Sequence, residues 1–201
     1  MTRINLYGTP LSGHMHRVEL ILLALELPFD FSDAPASVRE SAEFRQLNPL
    51  GQIPVLRDAD LVLCDSNAIM VYLLKRYGSD TSWLREDDPV IAAHIQQWLS
   101  ISAAEIRYGP STARRIVQWN FPGDLVEAQL ISNQILGVME DHLQNRDWLA
   151  ADHRTIADLA CYSYVAAAPE GDISLEPYSA IQNWLARVEA LPFFKAMPKA
   201  G

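Results

Sequence analysis

Between Leu6 and Val18 the chain reads LYGTPLSGHMHRV, so Tyr7, Ser12, His14 and His16 crowd a point where a strand-like segment gives way to a helix-like one. Hydroxyl and imidazole groups there can cap the helix, donate to an anion or, in suitable pairs, bind a metal. His14 and His16 do not share a helix face as a metal-binding pair does, and no carboxylate cluster joins them, so surface or supporting histidines and no metal site are expected. A second polar cluster, DSNA at 65–68, opens another helix-like run. Free N–H groups at a helix start attract a carboxylate and the Asp65 side chain can hold an ammonium, so Asp65 and Ser66 suit a zwitterionic end group, although either also serves as an ordinary cap. In QIPVL (52–56) Pro54 removes a ladder donor from a strand-like run, which calls for a sheet edge or a cis bond. Thr155 and Asp158 form an S/T-x-x-D pair at the head of a further helix, close kin of the capping box, and replacing either is expected to cost about 0.5–2 kcal/mol without touching the chemistry.

These groups need a scaffold, and the apolar periodicity supplies one. Ile4 and Leu6 alternate with Asn5 and Tyr7 as a half-buried strand; from His16 onward Val18, Ile21, Leu22 and Leu25 mark one face of a helix that Pro28 ends; Phe29 and Phe31 suit a second strand laid parallel to the first. After a short helix around Ser41–Leu47, IPVL (53–56) and LVLC (61–64) read as a hairpin around RDAD, and Ile69, Leu73 and Tyr77 share the face of a helix stopped by Gly78. The order βαβ then ββα is complete by residue 77. Residues 78–86 read as a linker, and the remainder, 87–201, carries only helical periodicity: Asp88 caps a helix with Pro89 in its first turn, and others run near 123–145, 155–168 and 179–191. A small α/β domain followed by an all-α domain is therefore expected.

With 201 residues, 49% hydrophobic, the chain can build a real core, and 25 acidic against 16 basic residues, a net charge of -9, weigh against a grip on nucleic acid or anionic lipid. Cys64 and Cys161 show neither CxxC nor metal-ligand spacing, which weighs against a disulfide scaffold and a structural zinc site. No early stretch is long enough to span a bilayer, and a soluble cytoplasmic protein is expected.

Four segments in this order, LYGTPLSGHMHRV, NPLGQIPVL (48–56), CDSNAI (64–69) and RTIADLACY (154–162), resemble the cytosolic glutathione S-transferases of the serine-type theta, phi and delta kind over nearly the whole chain. The resemblance implies a thioredoxin-like first domain, residues 1–77, that binds glutathione as co-substrate, and a helical domain, 87–201, that contributes the electrophile site. It implies a cis Ile53–Pro54 bond that turns the Ile53 backbone toward the cysteinyl backbone of the tripeptide, with Asp65 and Ser66 on its γ-glutamyl end and Gln52 near the glycyl carboxylate. Asp65 is one methylene shorter than the glutamate of many relatives. Counting back from Asn48–Pro49 puts Arg39 where a basic or imidazole group often assists.

A thiol of pKa about 8.5 is only a few per cent ionised near neutrality, and Ser12, six places before Val18, matches the serine that stabilises the thiolate in those classes. Tyr7 is the rival donor, because other classes use a tyrosine near the end of the first strand. Relatives that exchange disulfides carry a cysteine in this turn and the zeta-like isomerases a Ser-Ser-Cys run; here the turn reads Ser-Gly-His, against both activities. Near an evident break at Pro110, Tyr108, Arg115 and Trp119 are the candidates for the electrophile pocket, while Arg107, Arg114 and Arg115 could favour an anionic substrate but read first as a solvated basic face. The expected protein is a homodimeric transferase adding the glutathione thiolate to small, largely apolar electrophiles; the alternative is a glutathione-fold protein that binds or regulates without turnover.

Overall fold

Alternation of buried Ile4 and Leu6 with half-buried Asn5 and Tyr7 builds strand β1 (Ile4–Gly8) in the computed structural model of the protein, which describes residues 4–200. Ser12 then caps helix α1 (Gly13–Ala24) by accepting the Met15 N–H at 3.3 Å. Apolar spacing alone predicts a start at His16 and an end at Pro28. The cap moves the start to Gly13, and Glu26, with φ of 52°, turns the chain out of the helix before the proline is reached.

Strand β2 (Phe29–Asp33) lies parallel to β1, with Phe31 opposite Leu6. Two short helices, α2 (Ala36–Arg39) and α3 (Ala42–Leu47), lead to strands β3 (Val55–Asp58) and β4 (Leu61–Cys64), which pair antiparallel with Leu56 opposite Leu63. β3 also runs antiparallel to β1, giving the sheet order β2-β1-β3-β4. β3 begins at Val55 rather than Ile53, and the Ile53–Pro54 bond before it is cis. Helix α4 (Ser66–Tyr77) packs on α1, and Leu6, Val18, Ile21, Leu22, Leu56, Ile69 and Leu73 are fully buried, each such side chain worth about 1.5–3 kcal/mol. Asp58, at the end of β3, accepts from the hydroxyls of Tyr72 and Tyr77, and that bond leads the causes that push the Tyr77 phenol up to about 12.

The chain divides after Ser79 into two compact units. In the second, a single 3₁₀ turn (Thr81–Trp83) precedes helix α5 (Pro89–Ala103), capped by Asp88 at the Val90 and Ile91 N–H groups. Ile95, Trp98 and Leu99 form its buried face as their spacing predicts, while Ile91 is only half-buried. Pro110 does not break the chain. It sits in a π-helical turn (Arg107–Ser111) that runs directly into helix α6 (Thr112–Trp119), and the wider turn accommodates a residue that cannot donate. Gly109 lets that turn approach helix α7 (Leu125–Leu143), since a Cβ there would lie 2.9 Å from the Ser132 backbone nitrogen.

Helix α8 (Ile156–Ala166) carries the complete capping box of Thr155 and Asp158. Helix α9 (Ser179–Glu189) has no local side-chain cap; Glu140 of α7 accepts its Ala180 and Ile181 N–H groups, both at 3.0 Å. No helix among the described residues is long and apolar enough to cross a membrane.

In the last turn of α7, His142 donates from Nε2 to the Leu149 carbonyl at 2.8 Å and packs edge-on to Trp98, with ring centroids 5.0 Å apart. Burial holds its pKa below the ordinary 6.5. The unfolded chain therefore binds more protons as pH falls through that value, so this contribution is complete above 6.5 and is lost below it. Urea midpoints at about pH 7.5 and about pH 5.5 should fall further for wild type than for His142→Gln; equal losses would refute the coupling.

Candidate active site

Three segments of the first unit carry the polar groups singled out from the sequence. At the start of α1, Ser12 is half-buried, and accepting the Met15 N–H uses one of its lone pairs while leaving the hydroxyl hydrogen to donate elsewhere. Tyr7 occupies a different environment: it packs with Phe44, edge-on at 6.3 Å between centroids, in a cluster that includes Val55, Ile53 and Cys64. Cys64 donates to the Leu47 carbonyl, and burial first, then the Asp65 charge, push its thiol pKa up, the opposite of an activated cysteine.

The start of α4 lies beside the start of α1. His14 Nδ1 and Ser66 Oγ are 3.5 Å apart, and the buried Arg17 donates to the Asn67 side chain at 3.1 Å. His16, expected at the surface or in support, is buried, whereas His14 is half-buried in the bond to Ser66. Asp65 is exposed, takes the Asn67 and Ala68 N–H groups on one carboxylate oxygen at 3.0 Å, and holds φ at 72°, a conformation that costs a non-glycine residue of order 1–3 kcal/mol. Such strain concentrates at binding sites.

The third segment is the NPLGQIP loop. Asn48 holds it: its side chain donates to the Gln52 carbonyl at 2.8 Å and accepts the Leu50 N–H, and its carbonyl takes the Gly51 N–H. The motif NPLGQIPVL contains this asparagine but gives it no task; the Asn–Pro pair is the signal the sequence carries. Gly51, with φ of 62°, lies against the Arg39 carbonyl, where an added Cβ would come within 3.2 Å, so the loop and the end of α2 are in contact. Gln52 is exposed, and the half-buried Arg39 keeps a buried Nε with no hydrogen-bond partner among the described residues.

The family model of the glutathione S-transferase N-terminal domain matches residues 6–81, and that of the C-terminal domain matches residues 124–192. The chain belongs to the glutathione S-transferase family. It is 30% identical to the glutathione S-transferase-like protein tpcF of Aspergillus fumigatus, over 88% of this chain and 86% of that one. The crystal structure of a glutathione S-transferase from Pseudomonas fluorescens superposes with a TM-score of 0.89 at 28% identity, covering 98% of this chain and 99% of the other. A glutathione transferase homologue from Drosophila mojavensis, crystallised with bound glutathione, gives 0.83 at 26% identity, with 96% and 90% covered. The thioredoxin-like first domain and helical second domain expected from the sequence are those of the glutathione S-transferase fold.

In the helical unit of this glutathione S-transferase chain, Tyr108 is exposed in the π-helical turn, and Arg115 and Trp119 are exposed one turn apart on α6. The basic stretch around them is not one solvated face. Arg114 is 2% exposed and donates to Glu170 at 2.8 Å, with Trp119 against its other side. Among the described residues no group of three or more His, Cys, Asp or Glu side chains is disposed to hold a metal ion.

Proposed function

We propose that the protein is a homodimeric, cytoplasmic glutathione transferase in which the Ser12 hydroxyl donates to the glutathione sulfur and the thiolate adds to small, largely apolar electrophiles. The observation that carries this reading is the state of Ser12: it sits at the amino end of α1, with its oxygen engaged as an acceptor and its hydrogen left to donate. A hydrogen bond to a charged group contributes about 1.5–3 kcal/mol, and one pKa unit is about 1.36 kcal/mol, so a single such bond lowers the thiol pKa by roughly one to two units. The positive end of α1 acts in the same direction. Ser12 stabilises the anion and need not take its proton.

The rest of the first 77 residues supports tripeptide binding in this reading. Asp65 and Ser66 take the γ-glutamyl end, the Ile53 backbone beside the cis Pro54 pairs with the cysteinyl unit, and Gln52 and Arg39 serve the glycyl carboxylate. The Arg39 Nε, which has no hydrogen-bond partner among the described residues, is the kind of group such a carboxylate satisfies. Tyr108, Arg115 and Trp119 receive the electrophile.

The test is the ultraviolet difference spectrum of glutathione bound to the wild-type protein across pH. A thiolate band near neutrality is expected. Glutathione bound with no such band would favour the binding or regulatory alternative, and no binding at millimolar glutathione would overturn both.

A further inference from the structure

Two side-chain contacts join the start of α1 to the start of α4. One is the 3.1 Å bond from Arg17 to the Asn67 side chain; one turn earlier on α1, His14 Nδ1 stands 3.5 Å from Ser66 Oγ. Arg17 is 1% exposed, so its bond fixes the register of the two helices away from water. That register sets where the imidazole meets the hydroxyl.

Ser66 opens the first turn of α4, where helix geometry gives an amide no acceptor. Asp65 accepts the next two amides, those of Asn67 and Ala68. The Ser66 N–H and hydroxyl therefore offer two donors on one residue, a match for the two oxygens of a carboxylate, provided that the hydroxyl hydrogen points at the ligand. A serine has only one such hydrogen, and the imidazole decides where it goes. If Nδ1 is bare it accepts that hydrogen, and Oγ presents only lone pairs, which a carboxylate cannot use. If Nδ1 carries the ring hydrogen it donates to Oγ, the Ser66 hydrogen turns to the ligand, and each bond in the chain polarises the next.

We infer that His14 is a positioning residue: donating from Nδ1 to Ser66 Oγ, it aims the Ser66 hydroxyl at the α-carboxylate of the γ-glutamyl end of glutathione. This rests on the transferase reading above, in which Asp65 and Ser66 take that end, and adds the group that orients the hydroxyl. A separation of 3.5 Å is at the long end of hydrogen bonding, and the bond draws tight when Ser66 itself donates to an anion.

The experiment measures, by titration calorimetry, binding of glutathione and of γ-aminobutyryl-cysteinylglycine, which is glutathione without its α-carboxylate. His14→Ala is expected to weaken glutathione about three- to tenfold, as one supporting hydrogen bond provides, and the analogue less than about twofold. His14→Asn, whose amide nitrogen reaches the place of Nδ1 and can only donate there, should bind glutathione within about twofold of wild type. Ser66→Ala should weaken glutathione at least as much as His14→Ala, and adding His14→Ala to it should cost nothing further. In the wild-type complex, nitrogen NMR shifts should place the His14 ring hydrogen on Nδ1. Equal losses for the two ligands in His14→Ala, no rescue in His14→Asn, a full additional loss in the Ser66→Ala background, or a bound ring with its hydrogen on Nε2 alone overturns the inference and leaves the transferase reading standing. Where His14→Ala does not melt cooperatively, or the analogue binds too weakly to titrate, the ring shifts and His14→Asn decide between the same outcomes. No binding at millimolar glutathione, with no thiolate band, overturns the transferase reading and this inference with it.

Discussion

Ser12→Ala is expected to raise the pKa of bound glutathione by roughly one to two units and to lower kcat/KM near neutrality about ten- to a hundredfold. The size follows from removing one hydrogen bond to a charged sulfur, and the shape of the loss is as informative as its size. Activity should return as pH rises toward the free-thiol value of about 8.5, because the uncatalysed thiolate is then abundant. The substitution also removes the acceptor of the Met15 N–H, a cap worth about 1 kcal/mol. A loss from that cause alone would persist at every pH, so stopped-flow rates and the thiolate band across pH separate the two. Tyr7→Phe is the companion: if it moves the acid limb of the profile while Ser12→Ala does not, the sulfur's donor is the tyrosine packed beside Phe44.

Asp158→Ala should be among the most destabilising single changes in the chain, about 4 kcal/mol or more by urea unfolding. Its capping-box role alone predicts about 0.5–2 kcal/mol. In the folded protein the carboxylate is completely buried and accepts from the Thr155 N–H and hydroxyl, the Leu149 N–H and the Trp184 indole. Alanine leaves those donors without their acceptor inside the helical unit, which costs more than a lost surface cap. Thr155→Ala removes the side-chain oxygen that caps the first turn of α8 and one donor to Asp158 but leaves the carboxylate's other donors paired, so it should stay near about 1 kcal/mol. Equal losses in the two variants would show that the carboxylate acts only as a cap.

That contrast marks the boundary of what the sequence reveals. Short-range patterns carry far: strand alternation in β1, the hairpin, the caps at Asp88 and Thr155 and a cap within Asp65–Asn67 are legible from spacing and residue type, whereas the cis form of the Ile53–Pro54 bond is legible only through the family resemblance. Spacing misleads where one local rule meets another local geometry. The start of α1 follows the Ser12 cap, not the first apolar repeat, and Pro110 reads as a stop only if the α-helical ladder is the sole option. The contacts that spacing does not show join residues far apart along the chain. Asp158 reaches Trp184, Arg114 reaches Glu170, and His14 meets Ser66. Of the candidate site, Ser12, Ile53, Pro54, Asp65 and Ser66 announce themselves in motifs, whereas Asn48 shows its task only when the loop is folded around it.

The cap that Glu140 lends to α9 bears on the order of folding. Its carboxylate lies 40 and 41 residues before the two amides that it accepts, so it offers nothing to a helix forming in an otherwise disordered chain. An isolated segment of 11 residues is below the length at which helices persist in water, and without a side-chain cap of its own it starts at a further disadvantage. The first turn of α9 is therefore completed by docking rather than before it. Undocking of α9 from α7 exposes the two amides that Glu140 accepts, so the first turn of α9 is held only while the two helices are packed.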